Sequence, residues 1–333
     1  MRRLFFAAAA LALGTFAAGP SLAQQPTRLT FGTDWLAQAE HGGFYQALAM
    51  GLYRQRGLDV TIRMGGPQQN VAQNLVSGVV NAQMFSDGFS VFNYTNQGIP
   101  MVAVAALFQK NPQVLIAHPG QGNDSLEAMR GKPILISAAA RTSYWSFLRA
   151  KFGFSDSQIR PYTFSMAPFL ADKSVIQQGF LTSEPFAIQE AGVTPVVHLL
   201  ADAGYDTYSC MIVLPQSLIQ QQPQVVQAFV EATIEGWYHY IYRDPTPGNT
   251  LIKRDNPEMS DAKIANSIAL MRQYGIVDSG DSLRAGIGAM TEARWKSFFE
   301  TTVQAGVYPA TMPWQTAFTT AFVNKGHGLS IKP

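Results

Sequence analysis

Short apolar runs rich in β-branched and aromatic residues alternate along this chain with stretches whose apolar positions recur every three to four residues. That alternation is the pattern of parallel-sheet α/β architecture. Residues 28–33 read as the first strand. A helix is expected over 42–55, because Phe44, Ala47, Leu48, Gly51 and Leu52 share one helical face before Gly57 stops it. Strands at 58–63, 81–85 and 101–108 then alternate with helices at 71–76 and 89–96. The same grammar returns with strands at 114–117, 133–137, 160–164, 175–180 and 196–200 and helices at 143–152 and 184–190. After a strand at 208–214 the chain reads as helices, at 224–242, 260–274 and 291–303.

Two segments, 109–113 and 203–207, are polar or carry Pro or Gly between apolar strands, so they read as domain crossings. The expected plan has 24–108 opening a first lobe, 109–206 forming a second, and 207–333 returning to the first with helices packed on it. Such a plan places a ligand cleft between the lobes, faced by strand C-terminal ends and helix N-termini, with hinge closure as its motion.

Residues 1–23 have the form of an export signal: Arg2 and Arg3, an apolar run from Leu4 to Ala18, then Gly19, Pro20 and the small pair Ser21 and Ala23. Cleavage before Gln24 is expected, with the bacterial periplasm as destination. It removes two of the 24 basic residues and leaves 22 against 22 acidic, so the mature chain is formally neutral. No later stretch approaches the ~20 apolar residues of a membrane helix. The charges are scattered, which argues against nucleic acid or an anionic membrane as partner and in favour of a small molecule. Cys210 is the only cysteine, so no intrachain disulfide forms, and a core thiol is its simplest role.

Catalytic and metal motifs are absent from the sequence. His41, His118, His198, His239 and His327 lie far apart without ligand spacing, and there is no GxSxG elbow, phosphate loop or dinucleotide fingerprint. No metal or cofactor is expected. The candidate chemistry lies instead at the strand-to-helix junctions: Asp34 and Trp35, then Glu40, His41, Gly42 and Gly43; Asp87; Arg141 and Tyr144 beside the 137–143 segment; Glu184; and Asp206 with Tyr208 at the return crossing. Gly42 and Gly43 would let a ligand approach a helix N-terminus closely. Each also has a plain structural reading: Trp35 as a core aromatic, His41 and Asp87 as helix caps, Glu184 as a carboxylate favoured by the helix dipole, Arg141 as a surface cation, Asp206 and Tyr208 as hinge residues.

Together these segments resemble a known family. The run from Trp35 to Val60, with His41-Gly42-Gly43-Phe44-Tyr45, Gly51-Leu52-Tyr53 and Gly57-Leu58-Asp59-Val60 inside it, is similar to the opening of periplasmic solute-binding proteins of the nitrate/sulfonate/taurine and thiamine-precursor class. Gly98-Ile99-Pro100, Gly131-Lys132-Pro133, Ser183-Glu184-Pro185 and Glu190-Ala191-Gly192 sit where that class has similar short motifs. The resemblance implies a type II periplasmic binding protein, two α/β lobes with two crossings and a helical C-terminal region. It also implies a monomer that closes on its ligand and presents it to the membrane permease of an ABC importer. The thiamine-pyrimidine branch is the most similar and implies Trp35 stacking on a ring and Glu184 bonding an aminopyrimidine edge. The lysine, histidine and cysteine cluster of the pyrimidine-making relatives are missing here, which sets that synthase activity aside.

Charge orders the ligands. If Asp34, Asp87, Glu184 and Asp206 line the cleft, an aminopyrimidine or other amine-bearing ring suits it and an anion does not. A thiamine-related pyrimidine therefore comes first, then a flavin or purine, then a sulfonate or nitrate held by backbone N–H groups at 138–143 and by Arg141. Two other classes stay open: a secreted enzyme acting on such a ring with His41 and a carboxyl as acid and base, and a receptor feeding a membrane kinase.

Overall fold

The structure, a computed structural model, describes residues 25–66, 69–163 and 165–333. The expected export signal lies outside the described residues, as do Pro67, in the expected turn, and Phe164, at the end of an expected strand.

Among the described residues, ten strands form two five-stranded sheets. The first joins β1 (Thr27–Gly32), β2 (Leu58–Arg63), β3 (Ala82–Phe85), β4 (Met101–Phe108) and β10 (Ser209–Pro215) in the order β2-β1-β3-β10-β4. The second joins β5 (Gln113–Ala117), β6 (Ile134–Ile136), β7 (Ile159–Pro161), β8 (Ile176–Phe180) and β9 (Val196–Leu199) in the order β7-β6-β8-β5-β9. The two orders are the same. In each sheet four strands run in one direction, and the strand arriving from the other lobe, β10 or β5, inserts antiparallel before the last. The chain thus leaves the first sheet after β4 and returns to it as β10, giving two α/β lobes.

Every residue of β4 is buried although the strand ends its sheet's order. The C-terminal region explains this: Ala106 donates to Gly288 O at 3.0 Å, and Thr319 donates to Ala103 O at 2.9 Å, so the edge is covered. The longest helix, Pro223–Tyr242, buries Phe229, Trp237 and Tyr240 and packs on the helix Gly42–Ala49 of the first lobe.

Three expectations are corrected locally. The helix expected over 42–55 ends at Ala49, because Gly51 takes φ +70° and the chain turns into a short 3-10 segment, Arg54–Arg56, before β2. The helix expected from 143 is preceded by a separate 3-10 turn, Ala139–Thr142, and starts only at Tyr144, since Ser143 (φ −127°, ψ −120°) interrupts the helical path. A helix absent from the sequence reading, Thr246–Asp255, forms from a polar segment with only Gly248 and Ile252 buried.

Candidate ligand-binding site

The parallel strands of both sheets end at the seam between the lobes, and the residues just after them meet there. Asp34 and Trp35 follow β1, Ser86 and Asp87 follow β3, Tyr162 follows β7, and Thr182 and Glu184 follow β8. Glu40 and His41 occupy the 3-10 turn Ala39–His41 that opens the helix Gly42–Ala49, and both are almost fully buried, at 1% exposure. Strand ends facing a crevice are where open α/β folds place ligands.

Several contacts cross the seam at its centre, among them the Ser267 hydroxyl donating to Thr182 O at 2.6 Å. The rings of Trp35 and Tyr162 lie nearly parallel, 11° between planes and 6.4 Å between centroids. The Thr182 hydroxyl donates to Glu40 Oε1. Another contact ties the lobes further out, where Asn93 Nδ2 donates to Thr142 O at 3.0 Å. Within the first lobe, Ser86 donates to Asp34 Oδ2, and His41 Nε2 lies 3.7 Å from Asp34 Oδ1. Within the second, Glu184 Oε2 accepts from the Phe180 N–H at 2.8 Å and Glu184 Oε1 from the Tyr162 hydroxyl at 3.4 Å. Gln178 Oε1 accepts from the Ser137 N–H at 2.6 Å and from the Tyr144 hydroxyl at 2.9 Å.

The electrostatics are one-sided. Desolvation raises the carboxyls of Glu40 and Asp87, and it raises Glu184 to about 7, with the neighbouring Glu40 adding to the rise. Asp34 adds to the rise of Asp87. Burial together with Asp87 and Glu184 also pushes the Tyr144 phenol up. None of the named seam groups is a lysine or an arginine. Among the buried side-chain atoms without a hydrogen-bond partner are two of these seam groups, Glu40 Oε2 and His41 Nδ1, on neighbouring residues of the same turn. A buried polar atom left without a partner costs free energy, so these two define where a ligand's polar edge is wanted.

The candidates named from sequence divide. Asp34, Trp35, His41, Asp87, Tyr144 and Glu184 come together at the seam, and Asp87 also caps its helix, accepting from the Ser90 N–H at 3.0 Å. Asp206 and Tyr208 gather elsewhere: Asp206 pairs with Arg294 at 2.8 Å, and the Tyr208 hydroxyl donates to Asp281 at 3.2 Å and accepts from the Thr291 N–H at 2.9 Å. Arg141 is exposed on the 3-10 turn Ala139–Thr142. The reading of Gly42 and Gly43 as a ligand approach is overturned. A Cβ on Gly42 would stand 2.0 Å from the Tyr240 ring and one on Gly43 2.2 Å from Trp237, so these glycines admit aromatic side chains of the long helix. Tyr162, Thr182 and Gln178 also come to the seam and were not named from sequence, whereas Glu40 was named with His41. Glu40 had a signal, its place beside His41 at a strand-to-helix junction, whereas Tyr162 read as part of a strand.

Among the described residues, no group of three or more His, Cys, Asp or Glu is placed to hold a metal ion, and no helix is long and apolar enough to cross a membrane. A family model described as NMT1/THI5 like matches residues 38–247, a span holding both crossings and most of the seam. The chain belongs to the NMT1/THI5-like family. Across nearly its whole length it is also similar to the riboflavin-binding protein RibY of Chloroflexus aurantiacus, 26% identical over 93% of this chain and 90% of that protein. Solved structures with this fold include the alkanesulfonate-binding protein SsuA of Xanthomonas axonopodis pv. citri, bound to MOPS, with TM-score 0.63 and 14% identity over 90% of this chain and 100% of that one. The desulfurization enzyme DSZB has it too, with TM-score 0.58 and 10% identity over 91% and 99% of the two chains. The fold is therefore shared by a binding protein and an enzyme and does not by itself decide between capture and catalysis.

Proposed function

We propose that this chain is the exported, monomeric solute-binding component of an ABC-type importer, and that its ligand is a small heteroaromatic nutrient enclosed between the two lobes. The observation that carries the reading is the near-parallel Trp35–Tyr162 pair beside a buried, cation-free group of carboxyls. Aromatic faces suit a flat ring. Protonated or ionised, Glu184 and Glu40 offer oxygens to the N–H edge of such a ring, and His41 Nδ1 offers one more polar contact at the same turn. A flavin comes first, since the relative similar over 93% of the chain binds riboflavin, and an aminopyrimidine second, because the two share a flat ring with a nitrogen-rich polar edge. A sulfonate or nitrate comes last although neighbours of the same fold bind sulfonates, because an anion would face Asp34, Asp87 and Glu184 without a compensating cation.

The test is titration of the purified chain with riboflavin, an aminopyrimidine, thiamine, an alkanesulfonate and nitrate, followed by intrinsic fluorescence and calorimetry. Riboflavin or the aminopyrimidine should bind and be recovered unchanged. Binding confined to the anions would overturn the ring assignment, and chemical turnover of the bound ring would replace capture by catalysis.

A further inference from the structure

We propose that Arg294 and Lys110 form a charge clasp across the two interlobe crossings, and that this clasp, outside the ligand site, sets ligand affinity by holding the lobes closed. The inference rests on the binding-protein reading above. Arg294 lies in the first turn of the helix Glu292–Gln304, which is fastened to the first lobe by Trp295 and Phe298 packing on Phe92. Its Nη2 donates to Gln109 O at 2.5 Å, in the first crossing, and to Asp206 Oδ1 at 2.8 Å, in the second. Its guanidinium also lies over the Tyr208 ring, 4.2 Å from the centroid. One residue further along the first crossing, Lys110 Nζ pairs with Asp202 Oδ1 at 3.1 Å, on the short helical turn Leu200–Ala203 that precedes the return.

The two sides of this clasp are anchored differently. The Gln109 N–H donates to Ile276 O at 2.7 Å and its side-chain amide to Ala289 O at 2.9 Å, so the first crossing is fixed to the C-terminal part of the first lobe. Asp202 lies on the turn Leu200–Ala203, which packs on β5 and β9 of the second lobe, whereas Asp206 stands inside the second crossing, between Tyr205, which stacks near Phe89, and Thr207, which accepts from the Gly88 N–H. A rotation that opens the cleft bends both crossings, so it works against the two links that tie one crossing to the other, Lys110 to Asp202, which moves with the second lobe, and Arg294 to both Gln109 O and Asp206. Lys110, Asp206 and Arg294 line a groove of ≈ 390 Å³ that also includes Ser279, Gly280 and Asp281. Solvent reaches the acidic partners there, since the Asp206 and Asp202 side chains are 73% and 70% exposed. Each pair alone is therefore weak, and the effect comes from both acting on one hinge. Apparent affinity scales with the fraction of molecules in the binding-competent arrangement, so a shift at the hinge appears at the distant site.

The experiment compares the full mature chain with Arg294→Gln, Lys110→Asp, and the swapped pair Lys110→Asp/Asp202→Lys. Riboflavin affinity and dissociation rate, melting temperature, and the radius of gyration of the ligand-free chain are read for each. Arg294→Gln and Lys110→Asp should each weaken binding about fivefold through faster dissociation. Both should enlarge the ligand-free radius, and the swap should restore both readings while melting stays near that of the parent. Unchanged affinity and radius in Lys110→Asp, which sits on the surface, would overturn the proposal, as would a swap that fails to recover. If riboflavin does not bind at all, the function reading fails on its own, and the ligand-free radius still decides the clasp.

Discussion

Burial raises the Glu184 carboxyl to about 7 in the folded chain, whereas an unfolded chain releases its proton near the ordinary glutamate value of 4.5. The folded state therefore holds more protons than the unfolded one between those values, and stability of the ligand-free protein should fall as pH rises from about 4.5 to about 7. Glu40 and Asp87, also raised by burial, act in the same direction. Glu184→Gln should flatten that decline and add up to about 2 kcal/mol at pH 8, read from melting curves across pH. A slope that survives the substitution would place the titration on other groups. Trp35 makes the opposite kind of test. It is half-buried and packs beside Tyr162 at the edge of the second lobe's core, so Trp35→Ala should cost only about 1–2 kcal/mol of ligand-free stability while ring binding falls by about tenfold to a hundredfold, with Trp35→Phe in between. Equal losses of melting and binding would make Trp35 a core residue.

At the scale of elements, the first helix shows what a sequence does and does not disclose. Its existence and start were legible, because the apolar spacing from Phe44 to Leu48 repeats at helical period. The purpose of its glycines was not, since a glycine admits a ligand or a neighbouring side chain equally well and only tertiary packing decides. Here Tyr240 and Trp237 fill the space, and Gly236 on the opposing helix meets the Gly43 carbonyl in return, 2.2 Å from where a Cβ would be. Gly43→Ala should cost about 1–3 kcal/mol in urea unfolding by forcing these helices apart, an effect unrelated to ligand. Tyr162 escaped notice for a related reason. A tyrosine within a β-rich run reads as a strand residue, and the end of β7 at Pro161 is what turns it toward Trp35. Thr182 and Gln178 carry no charge or motif, so only the opposing lobe gives them significance.

The whole molecule is two sheets of one order exchanging a strand apiece, and that plan was legible because each lobe repeats the same alternation of strand and helix. The pairing across the seam was not legible, because residues far apart in sequence, such as Glu40 and Thr182, meet only when the lobes close. That contact separates a closing receptor from a rigid one. Thr182→Val preserves shape but removes the hydroxyl that donates to Glu40, and it leaves a second Glu40 oxygen buried without a partner alongside Oε2. If the ligand-free chain is open in solution, that contact is absent there, and ligand-free melting should hold within about 0.5 kcal/mol while dissociation of riboflavin quickens about tenfold. If the chain stays closed without ligand, the same substitution should lower its stability by about 1–3 kcal/mol, the usual loss for an orphaned buried acceptor. Melting and dissociation measured on the one variant therefore show whether the ligand-free lobes stand open or are already held together, and a clasp across the two crossings predicts the second.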